Sequence, residues 1–241
     1  MTSLQDTAGA PLLTLEDWAR LYDTPQRAQQ WKKGRSAWSI AEFVLQRNGL
    51  DHIARRASQV LGSPLVVQRA VPEYEVRFDS FGRGRVHDLG IHANTSEGDT
   101  VFIGVEAKVD ESFGATVMDS YLDAKAKEIC GVSTNAPRRI ELLLGKHFRE
   151  PSRKMFDVRY QLLYATVGTI AAQAAHSLLY VLVFRTDQYN EAKSAENLRD
   201  YLDFMGQVGA RPFRLEGAPV HCHELELDGS RLRCVYEYVD L

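Results

Sequence analysis

The sequence predicts an α/β protein in which a mixed β-sheet is flanked by helices and preceded by a helical arm. Two observations carry this prediction. Residues 65–109 contain three extended stretches separated by glycine-bearing turns, as in consecutive antiparallel strands. Helical patterns lie on both sides of them, and the continuous apolar run "SLLYVLVFRT" indicates a strand buried on both faces. We predict an arm over residues 1–30 and a single domain over residues 31–241.

Capping signals divide the N-terminal part into short helices. Thr14 can cap the helix "LEDWARLYD", and Thr24 followed by Pro25 is typical of another helix start. We expect Ser36 to cap the helix "SAWSIAEFVLQ" and Gly49 to end it. A further helix is predicted from about residue 51 to residue 61.

The extended stretches and later helices follow in a regular order. "LVVQRAVPEYEVRFD", "VHDLGIHA" and "TVFIGVEAKV" are predicted to form an antiparallel meander. Helical patterns then cover about 115–130, 137–147, 154–174 and 190–206. In the tail, "HCHELEL" and "RLRCVYEYV" are strand-like, and Asp228 with Gly229 is typical of a hairpin turn.

Composition limits the class of protein. Of 241 residues, 44% are hydrophobic and 25% are charged, which is ordinary for a globular chain. Three scattered cysteines are too few for a disulfide framework, so we predict a cytoplasmic protein. No secretory signal is evident at the N-terminus. The longest apolar run is interrupted by Gln161, Gln173 and His176, so we predict a core segment and no membrane span.

The net charge of −3 argues against a protein that coats nucleic acid non-specifically. Any nucleic-acid contact is therefore expected to be local. Arg83 and Arg85 in "RFDSFGRGR", and Lys154 in "HFREPSRK", are candidate phosphate contacts. The alternative for each patch is an ordinary solvated face.

Charged side chains occur inside the second and third strands of the meander. Glu106 and Lys108 are two positions apart and share a face of the third strand. The meander can bring Asp88 of the second strand beside Glu106, and two carboxylates form a hard oxygen site suited to Mg²⁺. The alternative is a surface ion pair at the end of a strand.

The segments "HDLGI" and "VEAK" resemble the signature of the PD-(D/E)xK nuclease superfamily, which has the restriction-endonuclease-like fold. The resemblance maps the superfamily's Asp and Glu-x-Lys onto Asp88, Glu106 and Lys108, with His87 in place of the proline that names the motif. It also implies a mixed sheet flanked by helices. Together with "WKKGRSAWSIAE", "PRRIELLL" and "RYQLLYA", these segments resemble a bacterial group within the superfamily.

The resemblance implies a metal-dependent nuclease acting on DNA in restriction, phage defence or repair. Asp88, Glu106 and Glu42 would hold one or two Mg²⁺ ions, with Mn²⁺ as a substitute. Lys108 would orient or activate water and stabilise the phosphate, and Gln161 would fix Lys108 or a backbone phosphate. A homodimer is also consistent with this fold. For Glu42 the alternative is an exposed helix acid, and for Gln161 a core glutamine. The alternative function is a catalytically silent nucleic-acid-binding or protein-interaction module on the same fold.

Other chemistry finds less support. His221, Cys222 and His223 resemble part of a zinc site, but no second ligand pair completes four ligands. Cys130 has no neighbouring His–Asp arrangement, and "SFGRGR" lacks the length and the following helix of a phosphate-binding loop.

Overall fold

The computed structural model describes residues 3–150 and 152–241; Met1, Thr2 and Pro151 lie outside the described residues. The strands, numbered in chain order, are β1 Ser3–Leu4, β2 Leu65–Val76, β3 Arg85–Thr95, β4 Thr100–Lys108, β5 His176–Arg185, β6 Arg211–Phe213, β7 Val220–Leu227 and β8 Ser230–Asp240. The α-helices are α1 Leu15–Ala19, α2 Pro25–Ala28, α3 Ser36–Gln46, α4 Gly49–Leu61, α5 Val117–Ile129, α6 Ala136–His147, α7 Tyr160–Ile170 and α8 Glu191–Gln207. Short 3-10 helices cover Arg20–Tyr22 and Arg153–Phe156.

These strands form a mixed sheet in the order β1-β2-β3-β4-β5-β8-β7-β6. β2, β3 and β4 are antiparallel neighbours, which confirms the predicted meander. β4, β5 and β8 are parallel to one another. Parallel neighbours require long crossover connections, and helices α5, α6 and α7 provide the one between β4 and β5. The predicted mixed sheet flanked by helices is therefore confirmed.

Each face of the sheet is covered by its own apolar cluster. Ile40 of α3 and Ile53 of α4 pack in one cluster with Val105 of β4. Helices α6, α7 and α8 pack on the opposite face. Side chains of β5 alternate between the two clusters, with Leu178 in the first and Leu179 in the second. The continuous apolar run of β5 thus fits a strand buried on both faces, as predicted.

The N-terminal arm packs on the first cluster through buried Trp18 and Tyr22. Thr14 and Asp17 form a capping box at the start of α1, which confirms the predicted helix start. A short strand that the sequence did not predict precedes it, because Ser3 pairs with Arg69 of β2 in parallel register.

Gly49 does not end a helix, contrary to the prediction. Helix α3 ends at Gln46, Asn48 adopts a left-handed backbone with φ 54°, and Gly49 begins α4. A Cβ atom at Gly49 would lie 2.6 Å from Cδ1 of Phe43. The glycine is needed for this close approach between successive helices, and not as a helix stop.

Two other predicted helix starts were wrong. Ser36 is the first residue of α3, and Arg35 precedes it without a side-chain cap. The helix predicted over residues 154–174 covers only Tyr160–Ile170. Arg159 is extended there, and its Nε donates to Asp200 of α8 at 2.7 Å, so the chain is anchored just before the helix begins.

Across residues 3–150 and 152–241, none of the helices combines the length and apolarity needed to cross a membrane. The apolar run that begins at Gln161 is divided between α7 and β5, as predicted.

Candidate active site

Asp88 lies at the point where β3 and β4 separate. The antiparallel pairing of these strands ends at Leu89 and Val105. Beyond it, the backbone N–H of Ala107 donates to Oδ2 of Asp88 at 2.7 Å. A buried backbone donor needs a partner, and here a side chain supplies it where the strand ladder has ended. Asp88 is thereby fixed beside the C-terminal end of β4, next to Glu106.

The carboxylate of Glu106 is buried and surrounded by donors. Its Oε1 contacts the guanidinium of Arg85 and lies 3.2 Å from Nδ1 of His87. Its Oε2 accepts a hydrogen bond of 2.9 Å from Nε2 of Gln161. Burial alone would raise the pKa of Glu106, but the charge of Arg85 and the hydrogen bond with His87 outweigh it and lower the pKa to about 2. Glu106 is therefore ionised at neutral pH.

Gln161 connects Glu106 to Lys108. While its amide nitrogen donates to Glu106, its Oε1 accepts a hydrogen bond of 3.1 Å from Nζ of Lys108. Gln161 lies in the first turn of α7, which packs against β4 and β5. The ammonium group of Lys108 also lies 5.2 Å from the ring centre of Phe113. The predicted residues Asp88, Glu106, Lys108 and Gln161 are thus brought together.

The electrostatic setting of Asp88 differs from that of Glu106. Among residues 3–150 and 152–241, no cation forms an ion pair with Asp88 within 4.0 Å. Burial, and then the charge of Glu106, raise the pKa of Asp88 to about 7, although Lys108 partly opposes this. Asp88 is a half-buried carboxyl group that a bound cation would stabilise.

Glu73 is a second acid beside Asp88, and no pattern in the sequence marks it. The pairs Pro72–Leu89 and Tyr74–His87 flank these two residues, which places Glu73 opposite Asp88 across β2 and β3. Glu73 has a left-handed backbone with φ 52°. Its carboxylate accepts a hydrogen bond of 2.6 Å from Tyr22 and contacts Arg27 of the arm.

Glu42 does not join this group through any direct contact among the described residues. Its carboxylate accepts a hydrogen bond of 3.2 Å from Nε1 of Trp38 and lies 3.7 Å from the guanidinium of Arg47. In the described parts of the chain, no group of three or more His, Cys, Asp or Glu side chains is arranged to hold a metal ion. Asp88 and Glu106 supply two hard oxygen donors of the kind that Mg²⁺ prefers.

The three predicted phosphate contacts lie in different settings. Arg83 is 81% exposed and 3.5 Å from Glu75. Lys154 is exposed and lines a cavity of about 1330 Å³ that also involves the ends of α6 and α8. Arg85 was predicted as a surface contact, but it is buried against Glu106 with only 7% of its side chain exposed.

Sequence reasoning overlooked the partners of Glu106. Arg85 and His87 are two polar residues inside a strand, two positions apart, which is a weak signal that both face one buried acid. Tyr164 of α7 contacts Arg85. Its hydroxyl lies 3.2 Å from Nη1 of Arg85 and its ring lies beneath the guanidinium, so it holds this arginine in place.

A family described as a domain of unknown function, DUF6946, matches residues 11–236. No curated protein and no solved structure matches the chain significantly. Because the family match extends over most of the chain, the protein belongs to the DUF6946 family.

Proposed function

We propose that this protein is a metal-dependent nuclease that hydrolyses phosphodiester bonds of DNA, with a restriction-endonuclease-like fold. The observation that carries the proposal is the link that Gln161 forms between Glu106 and Lys108, beside Asp88. A surface ion pair at a strand end would not require a half-buried glutamine that contacts both partners. Restriction, phage defence or repair are the roles that fit such an activity.

The order of elements supports the fold assignment. Helices α3 and α4 precede the meander of β2, β3 and β4, and helices α5 to α7 lead to β5, which is parallel to β4. This order agrees with the sheet and helices expected from the resemblance. The acids lie on neighbouring strands β3 and β4, where the resemblance expects them.

The donor set suits a hard divalent cation. Asp88 and Glu106 would hold Mg²⁺ or Mn²⁺, and Glu73 is better placed than Glu42 to assist them, because it lies opposite Asp88. When bound, the cation supplies a water of lowered pKa and neutralises charge on the phosphate. Partial burial favours this role for Asp88, because a carboxylate withdrawn from water, with no ion-pair partner among the described residues, gains most from a neighbouring cation.

The chain's own residues would position the substrate. Lys108 presents an ammonium group that can donate to a phosphate oxygen, and Gln161 limits the orientations it can adopt. The exposed side chains of Arg83 and Lys154 can contact the backbone phosphates of DNA without reading its sequence.

One observation favours a second candidate, a catalytically silent nucleic-acid-binding or protein-interaction module. Both oxygens of Glu106 already have protein partners, and Arg85 neutralises its charge. A fold that has lost its chemistry could retain such a network for stability alone. Metal binding separates the two candidates, because only the nuclease requires it.

Cleavage of plasmid DNA, linear DNA and RNA with Mg²⁺ or Mn²⁺ tests the proposal. We expect wild-type protein to cut DNA, and Asp88→Asn and Lys108→Ala to lose the activity. Asp123→Asn and Lys127→Ala are matched controls on the exposed surface of α5 and should cut normally. Equal cutting by Asp88→Asn and wild type would overturn the proposal. Absence of both cutting and Mn²⁺ binding would leave the silent module as the better description.

A further inference from the structure

We infer that Arg85 is a fixed cation of the site, and that Glu106 therefore helps to hold one divalent ion and not two. The inference rests on the proposed function and specifies how many cations that function uses. It assigns Arg85 a positioning role on Glu106 in place of the phosphate contact expected from the sequence.

The side chain of Arg85 is tightly packed against α7. A Cβ atom on Gly168 of α7 would lie 2.5 Å from Cβ and 2.7 Å from Cγ of Arg85. Any residue larger than glycine at this position would therefore overlap the aliphatic part of the Arg85 side chain. The guanidinium carbon lies 4.7 Å from the ring centre of Tyr164, and Nη1 is 3.2 Å from the Tyr164 hydroxyl. Packing, stacking and hydrogen bonding all direct the guanidinium toward Glu106.

The side chain of His87 is also tightly packed, and it contacts the same carboxylate. A Cβ atom on Gly104 would lie 2.7 Å from Cε1 of His87, so this glycine also makes room for a Glu106 partner. The ring of His87 is fully buried, and its Nδ1 faces Oε1 of Glu106. A carboxylate can only accept hydrogen bonds, so Nδ1 of His87 carries the proton that it donates to Oε1 of Glu106.

Hydrogen-bond capacity limits what Glu106 can still bind. A carboxylate has about four lone-pair positions, two on each oxygen. Arg85 and His87 occupy those of Oε1, and Gln161 occupies one on Oε2. One position on Oε2 is left, which suffices for one cation shared with Asp88. A carboxylate that bridges two ions needs two free positions, on one oxygen or on both, and only one is left.

The charge balance also disfavours a second ion. Asp88 and Glu106 contribute two negative charges when ionised, and Arg85 and Lys108 contribute two positive ones, so the four groups sum to zero. Two divalent ions would add four positive charges to a neutral group. Displacing Arg85 to accept a second ion would leave a buried guanidinium without its partner, which is strongly unfavourable.

The test is the stoichiometry of Mn²⁺ alone on the whole protein, measured by calorimetry and by electron paramagnetic resonance, where two neighbouring ions give a coupled spectrum. We expect one ion per chain and no coupling in the wild type. Two coupled ions would overturn the inference and leave the proposed function standing. No bound ion would overturn both.

Variants of Arg85 test whether this residue limits the number of bound ions. Arg85→Gln removes the charge, and we expect this variant to bind a second ion. Arg85→Lys keeps the positive charge and should still bind one ion. Arg77→Gln, which alters an exposed arginine, should also bind one ion. A folded Arg85→Gln protein that still binds one ion would refute the role of Arg85. If Arg85→Gln does not fold, the wild-type stoichiometry decides alone.

Discussion

Asp88 accepts the backbone N–H of Ala107 at 2.7 Å, so a titratable side chain replaces a backbone partner inside the sheet. This environment is energetically unfavourable for the ionised carboxylate of Asp88. Burial raises the pKa of Asp88 from 3.8 to about 7, so folded protein binds this proton more tightly than unfolded protein. Stability contributed by this group therefore falls as the pH rises from about 4 to about 7, and then levels off.

We predict that Asp88→Asn raises the thermal midpoint at pH 8 and has little effect near pH 4. The asparagine can still accept from Ala107 but cannot ionise. Added Mn²⁺ should stabilise wild-type protein and not the variant, because the ligand binds the folded state through Asp88. Thermal melts at both pH values, with Asp123→Asn as an exposed control, check this. A variant less stable than wild type at pH 8 would contradict the burial argument.

Gln161→Met should lower DNA cleavage by about tenfold or more while Mn²⁺ binding persists. Methionine has a similar volume but cannot link Glu106 to Lys108, so the ammonium group loses its orientation. Single-turnover rates and Mn²⁺ titrations, measured in parallel, separate the two effects. Gln68→Met, at an exposed position of β2, should leave both unchanged. An unaltered rate in Gln161→Met would show that the link is only structural.

Gly168→Ala should destabilise the protein by about 1–3 kcal/mol, because the added methyl group would overlap the stem of Arg85. Gly145→Ala is a matched control in helix α6, where an added Cβ meets nothing within 4 Å. The control should gain up to about 1 kcal/mol, since alanine favours a helix interior over glycine. Urea unfolding of both variants measures the difference. Equal stabilities would mean that Arg85 can move aside at no cost.

Glu237→Gln should cost about 3 kcal/mol or more of unfolding free energy. The carboxylate of Glu237 is buried under α4, where it pairs with Arg56 at 2.7 Å and accepts from Tyr180. Burial opposes its charge, but hydrogen bonds from His52, Arg56 and Tyr180 lower its pKa to about 2, from the usual 4.5.

A lowered carboxyl pKa contributes stability that is complete above about pH 4.5 and is lost as the pH falls through about 2. The difference between wild type and Glu237→Gln should therefore shrink in acid. Denaturant unfolding at pH 7 and pH 3, with Glu226→Gln on the exposed side of β7 as the control, measures this. If the difference in unfolding free energy between wild type and Glu237→Gln does not change with pH, the ionised form of Glu237 is not the cause of that difference.

The sequence was sufficient to predict the meander and to place Asp88, Glu106 and Lys108 near one another, because alternation fixes which strand residues share a face. The sequence could not predict that Arg85 contacts Glu106. In a regular strand Arg85 and His87 would share the side of Leu89, which packs in the first apolar cluster. Instead both contact Glu106, so the alternation breaks at Asp88. The polar pair Arg85 and His87 is only a weak sign of that break, which lies opposite the left-handed backbone of Glu73.

The pairing of Ser3 and Leu4 with β2 matters for the design of shortened versions of this protein. β2 is otherwise the outermost strand on its side of the sheet, and unpaired strand edges recruit other chains. A version that starts at Trp31 would lose this cover, together with Tyr22 and Arg27, which hold Glu73. Purification trials with such a fragment would then yield aggregates in which the effect on the site could not be assayed.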